Sequence, residues 1–229
     1  MLVNEIIKTS NLIEGPNDPH IFKAVFLAGG PGSGKGFVVS NLMGKDSTGL
    51  KVVNSDDVYE KLADMAKPEP LDLSDPEVVA SPQGQDAREK AKRLTKLRQS
   101  NYIDGRLGLI IDGTAKDVAK TADQKQKLEQ LGYDTMMVAV SVPVETAIER
   151  NIARGETGGR SISRKAVERS CLKVQQSIEK YSTDFENFVM IDNTKPTSET
   201  LTSDVFKKVN SFISSPPSSK AALDWLNKQ

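Results

Sequence analysis

The chain has 229 residues, 37% hydrophobic, 27% charged and 5% aromatic, with Lys+Arg and Asp+Glu both 31. That length supports one well-buried domain, and the zero net charge excludes a global field drawing it to nucleic acid or membrane, so any anion-binding surface is local. The single cysteine, Cys171, excludes an internal disulfide and fits a reducing cytoplasm; with His20 the lone histidine, a zinc site or a Cys/His nucleophile pair is disfavoured.

The opening "MLVNEIIKTSNLIEG" is too polar for a signal peptide, and no apolar run is long enough to cross a bilayer. Residues 1–20 read as an N-terminal arm, 21–213 as the domain, and 214–229 as a linker with a short C-terminal helix. Within the domain, short apolar β-branched runs alternate with stretches of helical period. This predicts an α/β fold whose parallel strands are covered on both faces. Strands are expected at Lys23–Ala28, Lys51–Asn54, Leu107–Ile111, Thr135–Val142 and Phe188–Ile191. Helices are expected at Lys35–Met43, Asp56–Ala66, Gln85–Asn101, Val118–Leu131, Val144–Arg154, Arg164–Tyr181 and Glu199–Phe212. "KPEPLDLSDPEVVASPQG" reads as an irregular excursion. After the linker "SSPPSS", Trp225 with Leu223 and Leu226 either packs back on the domain or recruits a partner.

The first strand leads into "GGPGSGKG", a G-x-x-x-x-G-K loop that opens a helix ending near Gly44. Gly29, Gly32 and Gly34 let the backbone take positive φ and bring its N–H groups close to phosphate oxygens. The helix beginning at Lys35 adds its positive dipole end, and Lys35 adds a mobile point charge. Gly30, Pro31, Gly32, Ser33, Gly34, Lys35, Gly36 and Phe37 are therefore the candidate nucleotide contacts. Such loops usually follow the lysine with Ser or Thr, which holds magnesium; here Gly36 and then Phe37 stand there.

The second strand runs into "KVVNSDDVYEKL", with Ser55 expected as N-cap and Asp56 and Asp57 in the first helical turn. Acids there complement the helix dipole, and a carboxylate at a strand end is also placed to take a proton from an attacking hydroxyl. In "DAREKAKRLTKLR", Ala87, Ala91, Leu94 and Leu97 recur at helical spacing and are expected to face the core. That puts Arg88, Lys90, Lys92, Arg93, Lys96 and Arg98 on an outer face, solvated or open to an acidic substrate. The third strand ends in "IIDGTAKD": Asp112 is either an N-cap or a holder of magnesium-bound water, and Thr114 and Lys116 are candidate substrate contacts. In "VPVETAIERNIARGETGGRSISR", Arg150 and Arg154 lie one turn apart, Gly155, Gly158 and Gly159 permit a hinge, and Arg160 and Arg164 follow. A helix with arginines, a glycine loop and a second helix are the parts of a closing lid, at about residues 150–165.

The loop resembles that of adenylate kinases, which also carry Gly after the lysine. "NSDD" and "VP…RN..RG" resemble polynucleotide 5′-kinases and zeta-toxin-like kinases, including ones encoded by large tailed phages. The resemblance implies a P-loop NTPase fold, a five-stranded parallel sheet in the order 2-3-1-4-5 flanked by helices, with an Arg-bearing lid. It implies a P-loop kinase using ATP and Mg2+, with Asp56 as general base, magnesium held by Asp112 through water and by Asp56, and Arg154 on the transferred phosphoryl group. Asp57, Thr114, Lys116 and Arg160 would meet substrate, and Asn193 with Thr194 and Lys195 would approach the adenine. Polynucleotide kinases place an arginine three positions after the base, where this chain has Tyr59. The expected acceptor is a hydroxyl on an anionic partner: DNA or RNA, a nucleotide, or a nucleotide sugar as in zeta toxins. A nucleoside monophosphate kinase and a non-catalytic nucleotide-binding adaptor are the alternatives.

Overall fold

The structure, a computed structural model, describes residues 16–18, 20–42, 49–194 and 201–229. Strands β1 (Lys23–Ala28), β2 (Lys51–Val53), β3 (Leu109–Asp112), β4 (Asp134–Ser141) and β5 (Asn187–Asp192) form one parallel sheet, ordered β2-β3-β1-β4-β5. The central strand is β1, where Ala24 lies opposite Leu109 on one side and Thr135 on the other. Every residue of β1 is buried. Its period of two sends Val25 and Leu27 to one face of the sheet and Ala24, Phe26 and Ala28 to the other.

Each face is covered by helices. Val25 and Leu27 join Val38, Val39 and Leu42 of α1 (Lys35–Leu42) and Val209, Phe212 and Ile213 of a later helix, Ser203–Ser214. Phe26 joins Leu128 of α5 (Val118–Gln130) and Val174 and Tyr181 of α7 (Arg164–Asp184). Between α1 and α5 lie α2 (Ser55–Asp64), α3 (Pro76–Ala80) and α4 (Pro82–Asp104), which build a smaller core from Val58, Tyr59, Ala63, Leu73 and Ala91. Helix α6 (Val144–Glu156) precedes α7; Ser203–Ser214 is α8, and Lys220–Leu226 is α9. Among the described residues no helix is long and apolar enough to cross a membrane.

Several local expectations need correction. The Pro/Asp-rich excursion contains α3, capped by Asp75 with Pro76 in the first turn. Helix α4 begins at Pro82 because the Ser81 side chain caps it, accepting from Gly84 N. Both starts follow the rule of a polar cap followed by proline. Helix α2 is capped by Asn54, not Ser55: Asn54 still holds the extended backbone of the strand (φ −135, ψ 121), and its side chain accepts from Asp56 N. Leu97 is 59% exposed, because the inward stripe of α4 runs through Gly84, Ala91 and Thr95 instead. Met43, Gly44, Glu199 and nearly all of the arm 1–20 lie outside the described residues.

At the opposite end of the sheet from the glycine loop, the chain's last segment returns. The Trp225 ring meets Phe22 edge-on at 5.5 Å, and Ala222 is fully buried. Ser219 Oγ donates to Gly132 O, and Gly132 has φ +102 and no room for a side chain, with a Cβ there falling 2.7 Å from Ala222 N. Lys23 is buried, its Nζ donating to Asp134 Oδ2 (2.6 Å) and Ser215 Oγ (2.8 Å). Trp225 thus packs on the domain, although Leu223 stays exposed.

Candidate active site

The loop between β1 and α1 sits where the carboxyl ends of the parallel strands open into a crevice. Gly32 (φ 78) and Gly34 (φ 86) adopt the left-handed backbone that glycine permits. Both are also pressed by neighbours: a Cβ on Gly32 would fall 2.1 Å from Ala147 O, and one on Gly34 2.1 Å from Asn193 Nδ2. Gly29, expected to share that backbone, does not; it is glycine for space, since a Cβ would lie 2.5 Å from Ser33 Oγ and 3.0 Å from Val140 O. Gly30 rests on Cys171, whose Sγ would be 2.3 Å from an added Cβ, so the lone thiol is floor packing for the loop. No atom lies within 4 Å of where a Gly36 Cβ would be.

Lys35 Nζ donates to Gly29 O (2.8 Å) and Gly30 O (3.4 Å) of its own loop. Burial pushes its pKa below the ordinary ammonium value, and the Asp112 and Asp56 carboxylates oppose that shift. Ser33 Oγ is buried and has no hydrogen-bond partner among the described residues. The loop, Lys35 and the strand ends line a cavity of about 450 Å³. Gly30, Pro31, Gly32, Gly34 and Gly36 line it with Lys35, while Phe37 is 43% exposed and outside it.

The acids line the same cavity. Asn54 organises them from the end of β2. Its Oδ1 accepts from Asp56 N, and its Nδ2 donates to Asp57 Oδ1 and Asp112 Oδ2, each at 3.0 Å. Asn54 thereby brings Asp57 beside Asp112. Asp56 points to cations: Arg88 Nη1 and Arg160 Nη1 each lie 2.8 Å from its Oδ1. Burial alone would raise the Asp56 carboxyl, but the Arg160 and Arg88 guanidiniums outweigh it and hold the pKa below the ordinary carboxylate range. Glu60, unmarked by the sequence pattern, also lines the cavity. Burial pushes its carboxyl up, against Arg154 and with Asp57 and Asp56.

Arg150, Arg154 and Arg160 all line the cavity. Arg150 Nη2 donates to Asn193 O (3.0 Å), and Asn193 Nδ2 donates to Ser33 O (2.8 Å), so the end of β5 braces both α6 and the glycine loop. Asn193 is buried and does not line the cavity; Thr194 turns its hydroxyl to Asp192, and Lys195 lies outside the described residues. The loop carrying Arg160 is tied at its base by Asn151, whose Nδ2 donates to Ile162 O while its Oδ1 accepts from Ile162 N. Only Gly158 of the expected hinge glycines has positive φ (80); Gly155 is still within α6. Arg164 stands apart, paired with both carboxylate oxygens of Glu145. Thr114 lines the cavity and its carbonyl accepts from Gly29 N; Lys116 is exposed and outside the lining.

Four residues at this site carry no mark of that role in the sequence: Asn54, Glu60, Asn151 and Arg88. Arg88 was grouped with the outer charges of α4, yet it sits on the inward stripe four residues after Gly84 and three before Ala91. That spacing was the available signal. The other basic residues, Lys90, Lys92, Arg93, Lys96 and Arg98, are exposed as expected.

The family model of the zeta toxins matches residues 9–203. The chain belongs to the zeta toxin family. Its fold is shared by a chain of the Pnkp1/Rnl/Hen1 RNA repair complex (TM-score 0.52, 23% identity, 72% of this chain and 48% of that one). The zeta-toxin chain thus spans about half of that protein. A putative kinase from Chloroflexus aurantiacus is similar over 83% of this chain and 97% of its own (0.55, 14% identity). So is a chain from the PezAT chromosomal toxin–antitoxin system of Streptococcus pneumoniae, over 98% and 90% (0.54, 14% identity). No curated protein sequence matches. At these identities the solved structures establish the fold alone, a five-stranded parallel sheet flanked by helices.

Proposed function

We propose that this zeta-toxin family member is an ATP- and magnesium-dependent phosphotransferase whose acceptor is a hydroxyl on a nucleotide-type substrate. The observation that carries it is the shared cavity: a glycine cradle with a buried lysine, a strand-end aspartate and three arginines all face one space of about 450 Å³. The residues fit a polyphosphate. Gly32 and Gly34 hold the left-handed backbone of the loop, Ser33 Oγ is buried without a partner among the described residues, and the Lys35 charge is buried beside backbone carbonyls. They also fit magnesium, which keeps several waters and needs one or two carboxylates; Asp57 and Asp112, joined by Asn54, are the pair that suits it, with Asp56 adjacent. Nucleotide and magnesium, when bound, supply the phosphoryl group and neutralise its charge.

The chain's own residues do the rest. Lys35 and the loop amides hold phosphate oxygens, Asp56 takes the acceptor hydroxyl's proton at a carboxylate oxygen, and Arg150 and Arg154 balance negative charge on the group in transfer. The loop carrying Arg160, tied down by Asn151, acts as the lid that excludes water. Tyr59, in place of the arginine of polynucleotide kinases, and the family membership together favour a nucleotide sugar over a nucleic-acid end.

Incubation with γ-labelled ATP and magnesium, with uridine diphosphate sugars, 5′-hydroxyl oligonucleotides and nucleoside monophosphates in parallel, tests this. Label should pass to an alcohol, and Lys35→Ala should abolish the transfer. ATP binding without turnover on any acceptor would instead favour a nucleotide-binding adaptor.

A further inference from the structure

Asp56, the proposed base, is held by two arginines from different elements, and this arrangement has a second use. We infer that Arg88 is a specificity-determining residue: with Arg160 it forms a receptor for a phosphate-type anion carried by the acceptor, and Asp56 Oδ1 fills that receptor in the free protein. The inference deepens the phosphotransferase reading and rests on it.

Charge is the first argument. Two guanidiniums converge on one carboxylate oxygen, each at 2.8 Å, so they share that oxygen, with Glu60 the further acid that acts on the Arg160 charge. A phosphate group offers several oxygens and up to two charges, and it suits the planar forks of arginine better than a single shared oxygen does. Pre-organisation is the second. The Tyr59 ring, 1% exposed, carries the Arg88 guanidinium 5.1 Å and the Arg160 guanidinium 5.7 Å from its centroid. These cation–π contacts hold both forks in place whether or not Asp56 remains between them. Position is the third. Arg160 and Asp56 line the same cavity as Lys35, and Arg88, itself outside the lining, reaches its edge at Asp56 Oδ1, so an anion bridging the two arginines would enter that cavity.

The consequence couples recognition to chemistry. Two guanidinium donors occupy both lone-pair sites of Oδ1, so an acceptor hydroxyl finds no place on that oxygen. An acceptor whose anionic group takes over the two arginines frees Oδ1 for the hydroxyl proton. An alcohol without such a group leaves Oδ1 occupied by the two arginines. The residue at position 59 thereby keeps a role in anion recognition: Tyr59 carries two arginines brought from α4 and from the loop after α6.

The test is calorimetric titration of inorganic phosphate into the full chain saturated with magnesium and a non-hydrolysable ATP analogue. Wild type should bind phosphate, and Arg88→Gln should bind it at least about tenfold more weakly, the loss expected for a charge-assisted contact. Arg88→Lys, which keeps the charge but loses the fork and the stack, should fall between them. Arg164→Gln, whose ion pair with Glu145 lies outside the cavity, is the control and should match wild type; thermal melting checks that each variant folds. Absence of phosphate binding in wild type, or equal affinities for Arg88→Gln and Arg164→Gln, overturns the inference. If the ATP analogue itself fails to bind, the phosphotransferase reading fails, and the same comparison of phosphate affinities without it still decides the role of Arg88.

Discussion

Arg154 and Asp56 line one cavity in unlike environments, and that difference sets what their substitutions should do. Arg154 lies in the last turn of α6 near the Lys35 ammonium, a place where only an anion would favour more positive charge. Arg154→Ala is expected to lower phosphoryl transfer by about 10³–10⁵-fold while ATP binding largely survives, read by comparing turnover with calorimetric affinity. Near-normal turnover in that variant would remove Arg154 from the mechanism. Asp56 has a folded pKa below its ordinary value, so its ion pairs contribute to stability above the unfolded pKa, ordinarily 3.8, and that contribution disappears as pH falls through the lower folded value. Urea unfolding of wild type and Asp56→Asn should therefore differ at neutral pH and converge in acid. The gap should be small, under about 1 kcal/mol, because the half-exposed pair is screened. A gap that widened below pH 4 would reverse the assigned sign.

Elements meet at the glycine loop more tightly than a phosphate cradle alone requires. Helix α6 presses on Gly32 through Ala147, α7 on Gly30 through Cys171, and the end of β5 on Gly34 through Asn193. Gly34→Ala combines a strained φ of +86 with a contact of 2.1 Å. It should weaken ATP binding by tenfold or more, on the order of 1.4 kcal/mol. The double variant Gly34→Ala, Asn193→Ala removes the contact but not the backbone strain, so only partial recovery is expected. Full recovery would show that crowding, and not φ, decides the position.

Across the whole molecule, binding and anchoring lie at opposite ends of the sheet. Trp225 and Phe22 pack where β1 begins, whereas the loop follows its last residue, Ala28. Trp225→Ala should cost about 2–3 kcal/mol in urea unfolding, below the usual range for a fully buried aromatic because Trp225 is only partly buried. Phosphoryl transfer at a temperature where the variant stays folded should be unchanged. Reduced transfer by fully folded protein would mean that the two ends communicate.

What the sequence determined by itself was local: the glycine loop and its lysine, the alternation of strand and helix, the aspartates at two strand ends, and arginines one turn apart. Each is written in spacings of a few residues, which periodicity and backbone sterics expose directly. Tertiary structure alone decided which of these groups meet. Asn54 reaches Asp112 across 58 residues of chain, and Arg88 reaches Asp56 across 32. Such pairings depend on how α4 rotates against α2 and on which strands lie side by side. A helix face reads the same in sequence whether its arginine meets water or a carboxylate, so only packing could turn Arg88 inward and give Asp56 two partners.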